Sequence, residues 1–431
     1  MLDIKYIKDN ATLVKDTLIK RFQKGKLQLV DEIIKKHDEW SELRKESDER
    51  RKERNILSNQ INTLKKEKKD ASKVIKLAKD LPSKIEGIDN KISFLEKEIR
   101  NLQLKLPNIL HKSVPIGEDS TKNKVIRKCG TPVKPKFNLK NHVELLEDLG
   151  IADFESSRMT SGKGFNYLKK EAAILDHALQ KYAVDFLLKK RFDLIVPPML
   201  LNYDSLLGAL NGLEDFENVV YKIENEDLYL IGTAEHSLVT MFKNNILNEK
   251  ELPIKVCAVT PCFRKEIGAH GVDTKGLFRM HQFNKVEQVV LCKPGDSFKM
   301  LEEMQKITEA FFKTLKIPFQ VIEICSGDLG AKFAKQYDIE AWFPRQNAYK
   351  EVTSAGNCTN FQSQALNIKY IKNGEKEYPH ILNNTMVATS RAMVAIFENF
   401  QQKDGSIKIP SVLHKYTGFK KIENERRHQK N

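Results

Sequence analysis

The segment TPCFRKEIGAHGVDTKGLFRMHQFNKVEQVV, residues 260–290, gathers the side chains best suited to bind and transform a charged substrate. Two apolar, strand-like runs flank a glycine-punctuated loop. Arg264 and Glu266 stand two apart, so on a strand both face one side. Arg279 and Glu287 are expected on the returning strand. An arginine fork beside a carboxylate suits an anionic substrate that also carries cationic or donor groups. An R-x-E pair alone is commonly a surface ion pair; the second arginine and second glutamate set this hairpin apart.

Three further clusters could join it. In GTAEHS, residues 232–237, Thr233 and Glu235 alternate and could project to one face. Thr233 could equally cap a helix running from Ser237 through Phe242, and the two readings are compatible. EVTSAGNC, residues 351–358, follows YDIEAWFP, residues 337–344. In NNTMVATSRAMVAIFENFQ, residues 383–401, Arg391 sits among Met393, Val394, Ile396 and Phe397 on an apolar helix. A buried guanidinium is costly unless paired, and a bound anion explains it best.

The rest of the chain must hold these groups in place. Its 431 residues allow two or three domains, and 40% hydrophobic with 30% charged residues supports a packed core. No stretch approaches the roughly 18 apolar residues of a membrane span, and MLDIKYIKDN does not read as a secretory signal. Lys+Arg 73 against Asp+Glu 58 leaves +15, which suits a polyanionic partner. The scattered cysteines (129, 257, 262, 292, 325, 358) form no CxxC pair, so disulfide scaffolds and zinc ribbons are excluded and a reducing cytoplasm fits. GxGxxG and GxxxxGK[ST] are both absent.

Residues 27–106 are charge-dense and nearly free of Gly and Pro. Ile85, Ile88, Ile92, Leu95, Ile99, Leu102 and Leu106 repeat at alternating intervals of three and four, the seam of a coiled coil. A weaker seam, Ile33, Trp40, Leu43, Leu57, Ile61 and Leu64, is interrupted by Ser47, Arg50 and Arg54. Between them lies a basic stretch, Lys65, Lys66, Lys68, Lys69, Lys73, Lys76 and Lys79, ending at Pro82. An antiparallel hairpin of two helices, each about 35–40 residues and about 50–60 Å long, follows. It is either a spacer or an arm reaching for nucleic-acid phosphates. Pro107, Pro115, Pro132 and Pro135 mark a linker to about residue 136. Beyond it, a helix over 171–190 and strands near 192–198, 228–231, 254–259, 283–291, 319–324 and 367–371 favour an antiparallel α+β sheet.

These clusters, in this order, resemble the class II aminoacyl-tRNA synthetases, and within them the seryl-tRNA synthetase family. FDLIVPP, with Pro198, resembles the first class motif; TPCFRKE through FRMHQFNKVE resembles the second; the helix bearing Arg391 resembles the third. GTAEHS and YDIEAWFPRQNAYKEVTSAGNCTNFQ resemble segments particular to the seryl family. The likeness runs over essentially the whole chain. TMVATSR, with Asn384, Met386 and Ser390 where bacterial forms carry glycines, resembles the archaeal and eukaryotic cytosolic form. Arg191 replaces a usual glycine. No zinc-ligand constellation of the divergent methanogen type is evident.

The resemblance implies a helical-arm domain over 1–115, a class II antiparallel β-sheet catalytic domain flanked by helices over 116–415, and a basic, disordered tail over 416–431. It implies a ligase that joins serine to ATP as seryl-adenylate and passes the seryl group to tRNA(Ser), with tRNA(Sec) a second acceptor left open. Arg264, Glu266 and Arg391 would be catalytic. ATP would be held by these with Lys265, Met280, Phe283, Glu351, Val352, Thr353 and Ser354, and Mg²⁺ by Glu351 and Ser354. Serine would meet Thr233, Ala234, Glu235, Arg279, Glu287, Asn383 and Thr385, with Thr233 and Glu235 holding the ammonium, Arg279 the carboxylate and Glu287 the hydroxyl. Lys65, Lys66, Lys68, Lys69, Lys73 and Lys76 would face tRNA. The protein would be a cytoplasmic homodimer without membrane contact. The competing readings are a paralogue that loads a carrier protein and a non-enzymatic coiled-coil RNA-binding protein.

Overall fold

The computed structural model describes every residue except 211, 213–215, 217, 267–275 and 424–431. The glycine-punctuated loop after Glu266 and residues 424–431 therefore lie outside the described residues; the first half of the expected disordered tail is ordered instead, with Lys421 and Ile422 pairing against Lys408 and Ile407 and Ile422 buried. The chain divides into two compact units: one comprises Leu2–Ile19 and Gln23–Leu106, and the other holds residues 107 onward with Met1 and Lys20–Phe22.

The first unit is built on α1 (Leu27–Lys66), α2 (Ser72–Lys79) and α3 (Leu81–Gln103). α1 runs 40 residues without a Gly or Pro to stop it. Ile85, Ile92, Leu95, Ile99 and Leu102 of α3 are buried, as the seam requires. The return arm differs from the expected single long helix. The chain turns after Lys66, with Lys68 at φ +55, and Asp70 accepts the Ser72 N–H at 2.9 Å to start the short α2. Pro82 does not end the basic stretch at a turn but sits in the first turn of α3, where its missing N–H costs nothing. Ser47, expected to interrupt the seam, is buried and donates to Asp89 Oδ1 at 2.8 Å, while Arg51 pairs with Asp89 Oδ2 at 2.7 Å and Trp40 donates to Glu96 at 3.0 Å.

The second unit is organised by an eight-stranded sheet. Its strands are β1 (Lys124–Cys129), β2 (Asp193–Ile195), β3 (Ile254–Phe263), β4 (Gln282–Cys292), β5 (Phe319–Glu323), β6 (Lys335–Phe343), β7 (Ala348–Asn357) and β8 (His380–Ala388). They lie in the order β1-β5-β6-β7-β8-β4-β3-β2. All neighbours are antiparallel except β2, which pairs parallel with β3. β1 falls inside the stretch expected to be a linker, and the bounds of β6, β7 and β8 were not anticipated.

Even-numbered residues of β4, such as Val286 and Val290, join the main core with Leu175 and Leu179 of α5 (Lys170–Leu188), Phe311 and Phe312 of α7 (Ser297–Leu315), and Met393 and Phe397 of α8 (Thr389–Phe400). Odd-numbered Val289 and Leu291 pack with Ala234 and Leu238 of α6 (Ala234–Thr240). Between these two cores the odd face of β4 is left to polar side chains. No helix among the described residues is long and apolar enough to cross a membrane.

His380, at the start of β8, is pushed by burial down to about 4, with its Nδ1 2.8 Å from Ser297 Oγ. The unfolded imidazole titrates near 6.5, so this contribution to stability is complete above that value. It is lost as pH falls towards 4, because the unfolded chain takes up the proton first. Between pH 7 and 5 the loss is about 2 kcal/mol. Urea midpoints at the two pH values should therefore drop less with acid in His380→Asn than in the parent; equal drops would refute the assignment.

Candidate active site

The odd face of β4 supplies the floor. Phe283, Lys285 and Glu287 alternate along it, so all three point the same way. Opposite Glu287, β8 places Thr385 in direct register, with Asn383 one pleat further on the same face. Thr385 Oγ1 donates to Glu287 Oε1 at 2.7 Å and Thr233 Oγ1 to the same oxygen at 3.2 Å. Lys285 Nζ pairs with it as well, and Glu287 Oε2, fully enclosed, has no partner. Thr233 also accepts the Glu235 N–H at 3.3 Å as the N-cap of α6. Both sequence readings of GTAEHS hold, with the helix starting at Ala234.

Glu235 is buried and held by three donors. Its Oε1 accepts from Lys332 Nζ at 2.6 Å and Gln362 Nε2 at 2.8 Å, and its Oε2 from Asn383 Nδ2 at 2.6 Å. Lys332 and Glu235 are 5% and 2% exposed. Lys332 thus lies against the carboxylate expected to hold an ammonium, and Glu235 nonetheless lines the cleft. Lys332→Met would strand a buried charge and should cost about 3–5 kcal/mol in urea unfolding, whereas Lys332→Met with Glu235→Gln recovers most of it. A single substitution as stable as the parent would show that the pair carries no such weight.

Arg264 and Glu266 are not on a strand, as alternation suggested; β3 ends at Phe263 and Glu266 turns to φ +47. Arg279 likewise precedes β4. The loop is stitched instead: Phe263 N–H donates to Ile231 O at 2.9 Å, and Arg264 N–H to His281 O at 2.9 Å. Arg264 Nε donates to Gly232 O at 3.1 Å, and its guanidinium lies 5.5 Å from the Phe283 ring centroid. Arg279 stands 3.8 Å from Glu266. Arg391, in the first turn of α8, is not an isolated buried cation. It is 22% exposed, pairs with Glu351 at 2.9 Å and lies 5.1 Å from the Phe278 ring centroid. Asp176 of α5 anchors that turn, accepting from Thr389 and, at 2.8 Å, from Asn284 Nδ2.

Glu351 and Ser354, three apart, would leave a regular strand on opposite faces. A bulge at Val352 brings them together: Ser354 pairs with Asp338, Thr353 with Ile339, and Glu351 with Glu340. Asp338, Glu340, Glu351 and Ser354 thus share a side. Burial, and then the Glu351 charge, pushes the Asp338 carboxyl up to about 8, and burial raises Glu340 as well. Gln336 Nε2 donates to both Asp338 Oδ1 at 3.1 Å and Ser354 Oγ at 3.0 Å.

Many of these groups line one cleft of about 470 Å³, while Asp176, Gln336, Asp338 and Glu340 stand behind its wall. Its wall holds Thr233, Glu235, Arg264, Glu266, Arg279, Met280, Phe283, Glu351, Val352, Thr353, Ser354, Asn383, Thr385 and Arg391. Three expected residues are not on the wall. Glu287 lies beneath it, Ala234 packs in the apolar cluster with Leu238, and the backbone N–H of Lys265 goes to Val219 O at 2.9 Å. Sequence reasoning missed Lys285, Lys332, His236 and Phe278, all on the wall. Period-two alternation from Glu287 could have found Lys285; no local pattern points to Lys332. His236 is held well below the ordinary imidazole value by burial and then by Lys332, so it is neutral. The six arm lysines belong to the other unit, on α1, α2 and the turn between them, all exposed. Among the described residues no group of three or more His, Cys, Asp or Glu could hold a metal unaided.

A wall of three guanidiniums beside a recess of Thr, Asn and buried carboxylate suits an anionic nucleotide next to a small polar zwitterion. Residues 219–400 match the tRNA synthetase class II core domain (G, H, P, S and T), and residues 1–110 the seryl-tRNA synthetase N-terminal domain. A serine--tRNA ligase of Methanoregula boonei is 46% identical over 96% of this chain and 98% of its own. The crystal structure of seryl-tRNA synthetase from Pyrococcus horikoshii complexed with ATP superposes with a TM-score of 0.90 at 43% identity, covering 98% of this chain and 99% of that one. The cytoplasmic enzyme of Naegleria fowleri in complex with AMP gives 0.84 at 32%, with the same coverage. With both halves matched and near-complete relatives at this identity, the chain belongs to the seryl-tRNA synthetase family.

Proposed function

We infer that the protein activates L-serine with ATP and transfers the seryl group to tRNA(Ser). The observation that carries this reading is the single cleft in which Arg264, Arg279 and Arg391 stand beside the Thr233–Glu287–Thr385 recess. A serine carboxylate oxygen attacks the α-phosphorus of ATP, the bond to pyrophosphate breaks, and seryl-adenylate remains. Two anions must meet, so fixed cations aimed at the α-phosphate lower the barrier. Arg264 takes that place and Arg391 the γ-phosphate end. Phe283 stacks on the adenine, Met280 lies along it, and Glu266 accepts its amino group. Val352 and Thr353 line the nucleotide side, with Lys265 nearby.

In the recess the serine hydroxyl is recognised through the Thr385–Glu287 pair. Lys285 already balances Glu287, so the penalty against alanine is that of one unsatisfied oxygen rather than a naked charge. Arg279 meets the serine carboxylate. Thr233 and Asn383 face the ammonium, with Glu235 fixing Asn383 rather than binding directly; Ala234 shapes the turn.

The corner of Glu351 and Ser354 fits Mg²⁺. It places the Glu351 carboxylate and the Ser354 hydroxyl on one side of the sheet with Asp338 and Glu340, and such an ion takes only one or two protein carboxylates, completing its shell with phosphate and water. An ion held there by Glu351 and Ser354 would offset phosphate charge.

The first motif leaves Leu194, Val196, Met199 and Leu200 exposed, Val196 at 92%, which supports a homodimer closed over that segment. Six unbonded cysteines support a cytoplasmic location. The deciding experiment is serine-dependent ATP–pyrophosphate exchange followed by charging of tRNA(Ser), with tRNA(Sec) assayed alongside. Exchange without charging favours a carrier-loading paralogue, and neither activity favours a binding protein.

A further inference from the structure

We propose that Arg21 is a positioning residue of the serine recess: its guanidinium gathers the loop between β5 and β6 so that Lys332 stands where it holds Glu235. The proposal rests on the serine-charging function and adds to it a residue far from the cleft in sequence. Arg21 follows the helix Ala11–Lys20 and belongs to the unit that carries the cleft. It lies in the stretch matched by the N-terminal family domain, 1–110, and outside the core match, 219–400.

Residues 329–334 form neither helix nor strand, so no ladder satisfies their carbonyls. Arg21 Nη1 donates to Leu329 O at 3.0 Å and to Gly330 O at 3.5 Å, and Nη2 to Phe333 O at 2.5 Å. Asn108 takes two more: its N–H donates to Ala331 O at 2.7 Å and its Nδ2 to Lys332 O at 2.9 Å. The His111 N–H donates to Ala334 O at 2.9 Å. Consecutive carbonyls from Leu329 to Ala334 are thus all held, and two side chains of the loop, Lys332 and Phe333, line the cleft. The Phe333 ring lies so close to Gly356 of β7 that a Cβ there would stand 2.2 Å from it, which leaves the loop no room to shift on that side.

Arg21 is 2% exposed, has no acidic partner among the described residues, and its Nε is enclosed without a hydrogen bond. Burial lowers its guanidinium to about 9. A charge kept in that setting is a poor way to gain stability, since apolar side chains of like volume often serve as well or better. Its rigid fork does what no apolar residue can, reaching the Leu329 and Phe333 carbonyls at once. From there the contacts run directly to the substrate side. Lys332 Nζ donates to Glu235 Oε1 at 2.6 Å, Glu235 Oε2 accepts from Asn383 Nδ2 at 2.6 Å, and Asn383 is the residue assigned to the serine ammonium. The loop serves that end alone. Neither Lys332 nor Phe333 lines the cavity beside α4 (Phe154–Ser161), which joins the cleft at Glu266 and Met280, on the adenine side.

The test uses the full-length protein. In serine-dependent ATP–pyrophosphate exchange, Arg21→Met should raise KM for serine about tenfold or more and leave KM for ATP within about twofold of the parent. A merely structural loss would lower the amount of active enzyme, and with it the rate, while leaving both KM values in place. Equilibrium binding supplies the second readout, with a non-hydrolysable sulfamoyl mimic of seryl-adenylate and its counterpart lacking the amino group. The parent should prefer the mimic that carries the amine, and Arg21→Met should lose about tenfold of that preference. Arg21→Lys is measured alongside, in case the methionine variant does not fold; it keeps the charge but cannot span both carbonyls, and should show the same split at about threefold or more. An unchanged KM for serine in a folded variant, an equal rise for both substrates, or an affinity loss equal for the two mimics would overturn the proposal. Absent exchange in the parent protein would instead strike the function on which it rests.

Discussion

Replacing Arg264 by alanine should lower serine-dependent ATP–pyrophosphate exchange by about 10²–10³-fold while leaving the unfolding midpoint close to the parent. The size follows from how the three cleft guanidiniums are paired. Arg391 faces Glu351 and Arg279 faces Glu266, so each brings a counter-charge with it. The partners of the Arg264 side chain among the described residues are the Gly232 carbonyl and the face of Phe283, neither of them an acid. Its charge is thus the least compensated of the three and the most available to an oxyanion. Those contacts also orient it, so little reorganisation is needed when charge develops. Because the α6 loop is held to β3 separately by Phe263 N–H to Ile231 O, truncation should not dislodge Thr233. Arg264→Lys keeps the charge and loses the fork, and should fall between alanine and the parent. Near-normal exchange in the alanine variant would remove Arg264 from the reaction.

Much of this site was legible because its residues sit where short-range rules hold. Phe283 and Glu287 follow strand alternation, and Thr233 follows capping. The arm seam follows its heptad almost residue by residue on α3. What failed to show did so for identifiable reasons. Alternation on β7 would separate Glu351 from Ser354, and only the extra residue at Val352 restores one face; no sequence rule announces a bulge there. Lys332 reaches Glu235 across 97 positions of sequence, so its role exists only after folding. Pro82 marks the end of the basic stretch in the sequence, but proline is equally at home in a first helical turn, and it is there that it sits. β7 was hidden because Glu351, Thr353 and Ser354 face the cleft and weaken the apolar run by which a strand is read.

Neutralising the tip of the arm should separate the two halves of the reaction. With Lys65, Lys66, Lys68, Lys69, Lys73 and Lys76 all changed to Gln, pyrophosphate exchange should be unchanged, and kcat/KM for charging should fall about 10²–10³-fold at moderate salt. These lysines are exposed, and among them only Lys69 has a described acidic partner, Glu67 at 2.8 Å. Their charges are therefore available to phosphate, and the folded arm does not depend on them. The seam that holds α1 to α3 lies in other residues, so the helical signal should persist. The decisive reading is the salt dependence. If the lysines displace counterions from RNA, log kcat/KM plotted against log salt must flatten by about 0.7–0.9 for each phosphate contact removed. A spacer would lose neither rate nor slope. A distorted arm would lose rate but keep the slope of the contacts that remain, so the slope tells electrostatic capture of tRNA from a merely mechanical role.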